Sequence, residues 1–162
     1  MKQLLSLFVI LFGSSSFAST ATVEIKIDAE IRKVTVSGKS GSFEMKKTYD
    51  QFWASQVELH SQNLDVNPKI ASGPMKKEKF LDSEHYPVIY VRQLQCIREN
   101  KQCSLTLQVK GISKTIQARL VENGSATQIK FNFLLSDFNI SQKIHFWKID
   151  NTAEATVELS QF

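Results

Sequence analysis

The sequence predicts an all-β domain built as a sandwich or a closed barrel. Apolar and polar residues alternate along most of the chain, which is the pattern of half-buried strands. Turn-forming clusters fall between the alternating runs. Stretches with helical spacing are confined to Met75–Leu81 and Tyr49–Ala54, both too short for the crossover helices of a parallel α/β sheet.

Met1 and Lys2 precede an apolar run from Leu4 to Phe12, and Ser16-Phe17-Ala18 places small residues where a signal peptidase reads them. Residues 1–18 are therefore expected to be a cleaved signal peptide and 19–162 the mature domain, exported to the periplasm. The apolar run is about half the 20 residues or so that span a bilayer, so a membrane anchor is not expected. No Cys follows the cleavage site to take a lipid.

In the mature chain Val23, Ile25 and Ile27 share one strand face, and Glu24, Lys26 and Asp28 the other. The same alternation recurs in Ile31–Val36, Val57–Leu59, Leu105–Lys110, Ile116–Leu120, Ile129–Phe133 and Ala153–Leu159. Ser37-Gly38-Lys39-Ser40-Gly41, Asn67-Pro68, Ser72-Gly73-Pro74 and Gly111 read as turns, and Asn123-Gly124 is a strong hairpin signal. Cys96 and Cys103 bracket a polar hairpin tip, and in an exported protein they are expected to be bonded to each other. A metal site would need further ligands nearby.

Charge and side-chain chemistry exclude more than they assign. Loss of Lys2 leaves 19 basic residues against 16 acidic ones, too few and too scattered for nucleic acid. The densest basic run, Lys76-Lys77-Glu78-Lys79, reads first as a solvated face, with contact to anionic lipid head groups as the alternative. His60, His85 and His145 are dispersed, and no nucleophile signature such as Gly-x-Ser-x-Gly occurs. No catalytic residue, metal ligand or cofactor is assigned, and the chain does not read as an enzyme. The inward candidates Phe80, Ile89, Val91, Leu105, Leu107, Val109, Phe131, Phe133 and Phe138 either pack as an ordinary core or line an apolar tunnel, and an eight-stranded barrel permits both.

Several segments together resemble one family. Phe52, Ala54, Val57 and Leu59 before a strand, Phe80-Leu81, Tyr86-Pro87, Leu107–Lys114 and Ser136-Asp137-Phe138-Asn139-Ile140 resemble, in order and spacing, the YceI-like family of bacterial periplasmic proteins. The resemblance implies a lipocalin-like antiparallel β-barrel of about eight strands with one or two short helices. It also implies a non-enzymatic carrier that holds a polyisoprenoid, a quinone-like molecule or a fatty chain inside the barrel. Phe80, Ile89, Val91, Leu107, Val109, Phe131 and Phe133 are then the expected ligand contacts. No nucleic-acid partner and no stable membrane insertion are expected, and a homodimer is compatible with the pattern. Two departures stand out. Ser72-Gly73-Pro74-Met75-Lys76-Lys77 replaces an Arg-Asp-x-His cluster common in the family, and Leu135 replaces an Arg that commonly precedes Ser-Asp-Phe. Both remove polar groups that would orient a head group, which leaves a barrel with a filled core and a protein-binding surface as the alternative function.

Overall fold

The computed structural model describes residues 15–161. The expected leader lies outside the described residues except for Ser15–Ala18, which open the first strand. The strands are β1 (Ser15–Ala29), β2 (Val34–Lys39), β3 (Phe43–Lys47), β4 (Gln51–Ala54), β5 (Val57–His60), β6 (Asp65–Asn67), β7 (Val88–Ile97), β8 (Gln102–Val109), β9 (Ile112–Asn123), β10 (Ala126–Leu134), β11 (Lys143–Ile144) and β12 (Trp147–Gln161). One short helix, α1 (Ser72–Met75), and three 3-10 turns complete the described elements.

These segments make an eight-stranded antiparallel barrel. β2 and β3 both pair with the same edge of β1 and act as one bent strand; β4 and β5 both pair with β7 and act as another. With β1, β7, β8, β9, β10 and β12 they form a meander, and pairing of β12 with β1 from Ser19↔Gln161 to Ala29↔Ile149 closes the ring. Closure removes the free edges that would otherwise invite aggregation.

Two local devices bend the wall. Between β2 and β3 the chain bulges at Ser40, whose backbone N–H donates to the Ala21 carbonyl and whose hydroxyl accepts from the Ala21 N–H, each at 2.8 Å. In β7 the register slips between Arg92 and Gln95, and Gln93 takes a positive φ of 54°. The slip resets the alternation, so Ile89 and Val91 point inward before it and Leu94 and Cys96 after it.

The structure corrects four local expectations. The strand expected over Ile31–Val36 begins only at Val34, and Ile31 stands exposed on the turn before it. Ser37–Lys39 is strand rather than turn, because Gly38 lies under Leu64, whose Cδ2 would stand 2.5 Å from a Cβ there. Tyr49–Ala54 is not helical: Gln51–Ala54 forms β4, with Phe52 and Ala54 buried on one face. The helical turn is Ser72–Met75 rather than Met75–Leu81, and the following residues coil through tight turns such as Phe80 N–H to Lys77 O at 2.9 Å. The Asn123-Gly124 hairpin is present, and Asn139, which ends the turn Leu135–Phe138, adopts the left-handed conformation that Asn tolerates, φ 53° and ψ 38°.

Cys96 and Cys103 face each other across β7 and β8, form a disulfide, and are almost fully buried. Their Cα atoms are 4.1 Å apart. They are 7 positions apart in the sequence, and closing so short a loop is worth about 2.5 kcal/mol in the chain-entropy view. Chemical unfolding with and without reductant is expected to show a loss of that size, with no free thiol before reduction.

Candidate functional site

The barrel has two unlike halves. The half that contains the disulfide is filled by Phe43, Met45, Phe52, Leu94, Leu105 and Leu120, all buried. The other half is covered by two long connections, residues 61–87 between β5 and β7 and residues 135–146 between β10 and β12. Under these covers lies an apolar slot of about 50 Å³.

The slot follows from the register. Phe131 pairs with Ala155 and Phe133 with Ala153 across β10 and β12, so each ring stands over a small neighbour. Ala155 pairs in turn with Ile25 of β1. Alanine here leaves space that a larger side chain would fill. Phe133 packs edge-on against Phe138 at 5.8 Å and tilted against Phe131 at 6.2 Å, fixing the aromatic wall. The facing wall is Ile89 and Val91 of β7 with Leu107 and Val109 of β8. From the covers come Leu64, Met75 and Leu81 on one side and Leu135 and Ile140 on the other.

Six of the seven expected contact residues therefore meet around one cavity: Ile89, Val91, Leu107, Val109, Phe131 and Phe133. Phe80 does not line it. The Leu81 N–H bonds to the Met75 carbonyl at 3.1 Å, and this turn directs Leu81 into the slot while Phe80 lines a recess on the outer side of the cover. The alternating pattern cannot distinguish these neighbours, because the segment is not a strand. Met75 was also out of reach of sequence reasoning, since it sits inside the stretch that departs from the family pattern. There it supplies an apolar wall.

The cover is pinned at defined points. Lys110 Nζ donates to the carbonyls of Glu78 at 2.8 Å and Asn139 at 2.9 Å, and the Ser141 N–H donates to Lys79 O at 2.7 Å, so both connections are held together. Tyr86 lies over Gly111, where a Cβ would come within 3.0 Å of its ring and where φ is +73°. That contact joins two of the family-like segments, and a side chain at Gly111 would press on the Tyr86 ring. Asp82, buried and at a positive φ of 48°, receives the N–H groups of His85 and Tyr86 on its carbonyl and holds the His85 ring through its carboxylate at 2.8 Å. The hydrogen bond from His85 to Asp82, and then the charge of that carboxylate, raise the His85 pKa. This pairing favours the cover below the ordinary His range and weakens as pH rises through the raised value. Ser83 Oγ, in the same turn, is buried with no hydrogen-bond partner.

Among the described residues no three His, Cys, Asp or Glu side chains are grouped to hold a metal ion. His60 and His145 are exposed on separate elements. All the side chains lining the slot are apolar, so nothing inside it can read a polar head group.

Comparison with known proteins agrees with this architecture. No curated protein matches the sequence. Among solved structures, a mutant CJ YCEI protein with a monobromobimane guest structure superposes with a TM-score of 0.51 at 12% identity, over 72% of this chain and 73% of that one. BcnA from Burkholderia cenocepacia gives a TM-score of 0.49 at 10% identity, covering 88% of this chain and 94% of its own. The model of the YceI-like domain matches residues 15–161, every strand of the barrel included, and the chain belongs to that family.

Proposed function

We propose that the protein is a periplasmic carrier for a long apolar amphiphile, a polyisoprenoid, quinone-like or fatty chain, taken up into the covered half of the barrel. The observation that carries this reading is a buried slot with an entirely apolar lining, placed under two connections rather than in the disulfide half. Membership of a family of binding barrels for apolar ligands supports it. The family's periplasmic setting and the buried disulfide support the location.

Entry requires movement. A dry cavity that admits one benzene is about 150 Å³, and this slot is about 50 Å³, so a chain enters only as Leu64, Met75 and Leu81 on the cover give way. Their side chains belong to a connection without long secondary structure, which moves at less cost than the barrel wall. The head group then remains outside the apolar lining. The small volume equally motivates the second reading, a barrel filled by its own side chains that works through its surface.

Organic extraction of protein recovered from the periplasm, with mass spectrometry of both extract and polypeptide, separates the two. The carrier reading expects one chain-bearing lipid per protein and a polypeptide beginning at Ser19. A cut there removes the pairing of Ser15–Ala18 with Glu44–Lys47. An extract without lipid, and no fluorescence gain with apolar dyes, would instead establish the filled barrel.

A further inference from the structure

The covered end of the barrel presents a cationic recess beside exposed apolar tips, and we propose that this end docks on an anionic lipid surface. Lys77 and Lys79 from one connection meet Lys143 and His145 from the other around this recess, with Phe80 in its wall. No carboxylate lines it. Glu78, Asp82 and Glu84 line a neighbouring recess that shares Lys77 and Lys79, which leaves the side toward Lys143 and His145 uncompensated. Lys77, Lys79 and Lys143 are exposed. Among the described residues none of these three has an ion-pair partner, whereas Lys26, Lys33, Lys46, Lys69 and Lys101 each do.

The apolar part lies next to the charge. Phe146 follows His145 at the tip of the β11–β12 hairpin and is 77% exposed, supported from below by Trp147 in an edge-on contact at 6.4 Å. Ile31, 57% exposed, stands on the β1–β2 turn. That turn is tied to the same hairpin by the Glu30 N–H to the Lys148 carbonyl at 3.1 Å and by the Lys148 N–H to Glu30 Oε2 at 3.3 Å.

A free inorganic anion would account for the lysines but not for Phe146 and Ile31. An acidic protein would be expected to meet a contiguous apolar patch, and these are single tips on turns. Uncompensated lysines flanking isolated apolar tips suit a charged interface into which the tips insert while the ammonium groups meet phosphates. The argument is independent of what the slot holds.

Sedimentation with phosphatidylcholine vesicles, and with vesicles of equal parts phosphatidylcholine and phosphatidylglycerol, tests it. Binding is expected to the mixed vesicles only and to disappear in high salt. The triple variant K77Q/K79Q/K143Q should bind on the order of 100-fold more weakly, since each surface cation contributes roughly a factor of five near such a membrane. Phe146→Ser should weaken binding several-fold at unchanged charge, and both variants should keep the parent's melting temperature because the altered residues are exposed. No binding to mixed vesicles, equal binding to both kinds, or full binding by the triple variant would overturn the proposal. So would tighter binding to polyglutamate than to the vesicles, the result that would assign the face to an acidic protein.

Discussion

Phe133→Trp is expected to abolish or greatly reduce lipid occupancy while the barrel stays folded. Phe133 lies on the slot wall between Phe131 and Phe138, over Ala153. The slot is only about 50 Å³ before the cover moves, so the second ring of an indole takes up most of the free space from which a chain would have to be admitted. Interiors close to crystal density do not absorb added atoms freely, and overpacking of this kind costs about 1–3 kcal/mol. The decisive measurement pairs melting temperature with extractable lipid on the same sample. Ala155→Leu fills the same space from the adjoining strand and guards against an effect peculiar to indole. A folded Phe133→Trp protein with the parent's full lipid content would place the ligand elsewhere than this slot.

Much of the barrel was legible because its walls obey a period of two. Leu107 with Val109, and Phe131 with Phe133, could be placed on a common face from spacing alone. The β7 bulge was not read from the sequence: the inward series Ile89, Val91 resumes at Leu94 and Cys96, and this step of three marks the register slip in the fold. Spacing failed where long-range packing decides. Gly38 reads as a turn residue, but its missing side chain serves Leu64, which arrives from a connection 26 residues further on. Phe80 and Leu81 are equally apolar, and only the hydrogen bonds of the turn decide that Leu81 faces the slot. The cationic recess was half legible: the run Lys76-Lys77-Glu78-Lys79 stood out, with anionic lipid head groups as its alternative partner, but the part supplied by Lys143 and His145 did not. Lys79 and Lys143 are distant in sequence and meet only because both covers lie at one end of the barrel.

Leu135→Arg is expected to be the most destabilising of the changes considered, by about 3–5 kcal/mol, the usual cost of leaving a charge buried without a partner. Leu135 is 2% exposed and lines the slot, with only apolar residues around it. The family pattern that the sequence resembles has an Arg here and an Arg-Asp-x-His cluster in the stretch that in this chain contributes Met75 to the same apolar lining. Leu135 and Met75 line one apolar slot, so an Arg at the first position or a carboxylate at the second would each be buried without a partner. Met75→Asp alone should therefore destabilise as well, and the double variant should recover part of the combined loss. A double-mutant cycle by denaturant unfolding measures that coupling. Strict additivity would mean that the two positions act on the slot independently. A loss below about 1 kcal/mol for Leu135→Arg would show that its guanidinium reaches water past the cover, as long cationic side chains do when an exit is near. The slot would then be open at this end rather than sealed by its cover.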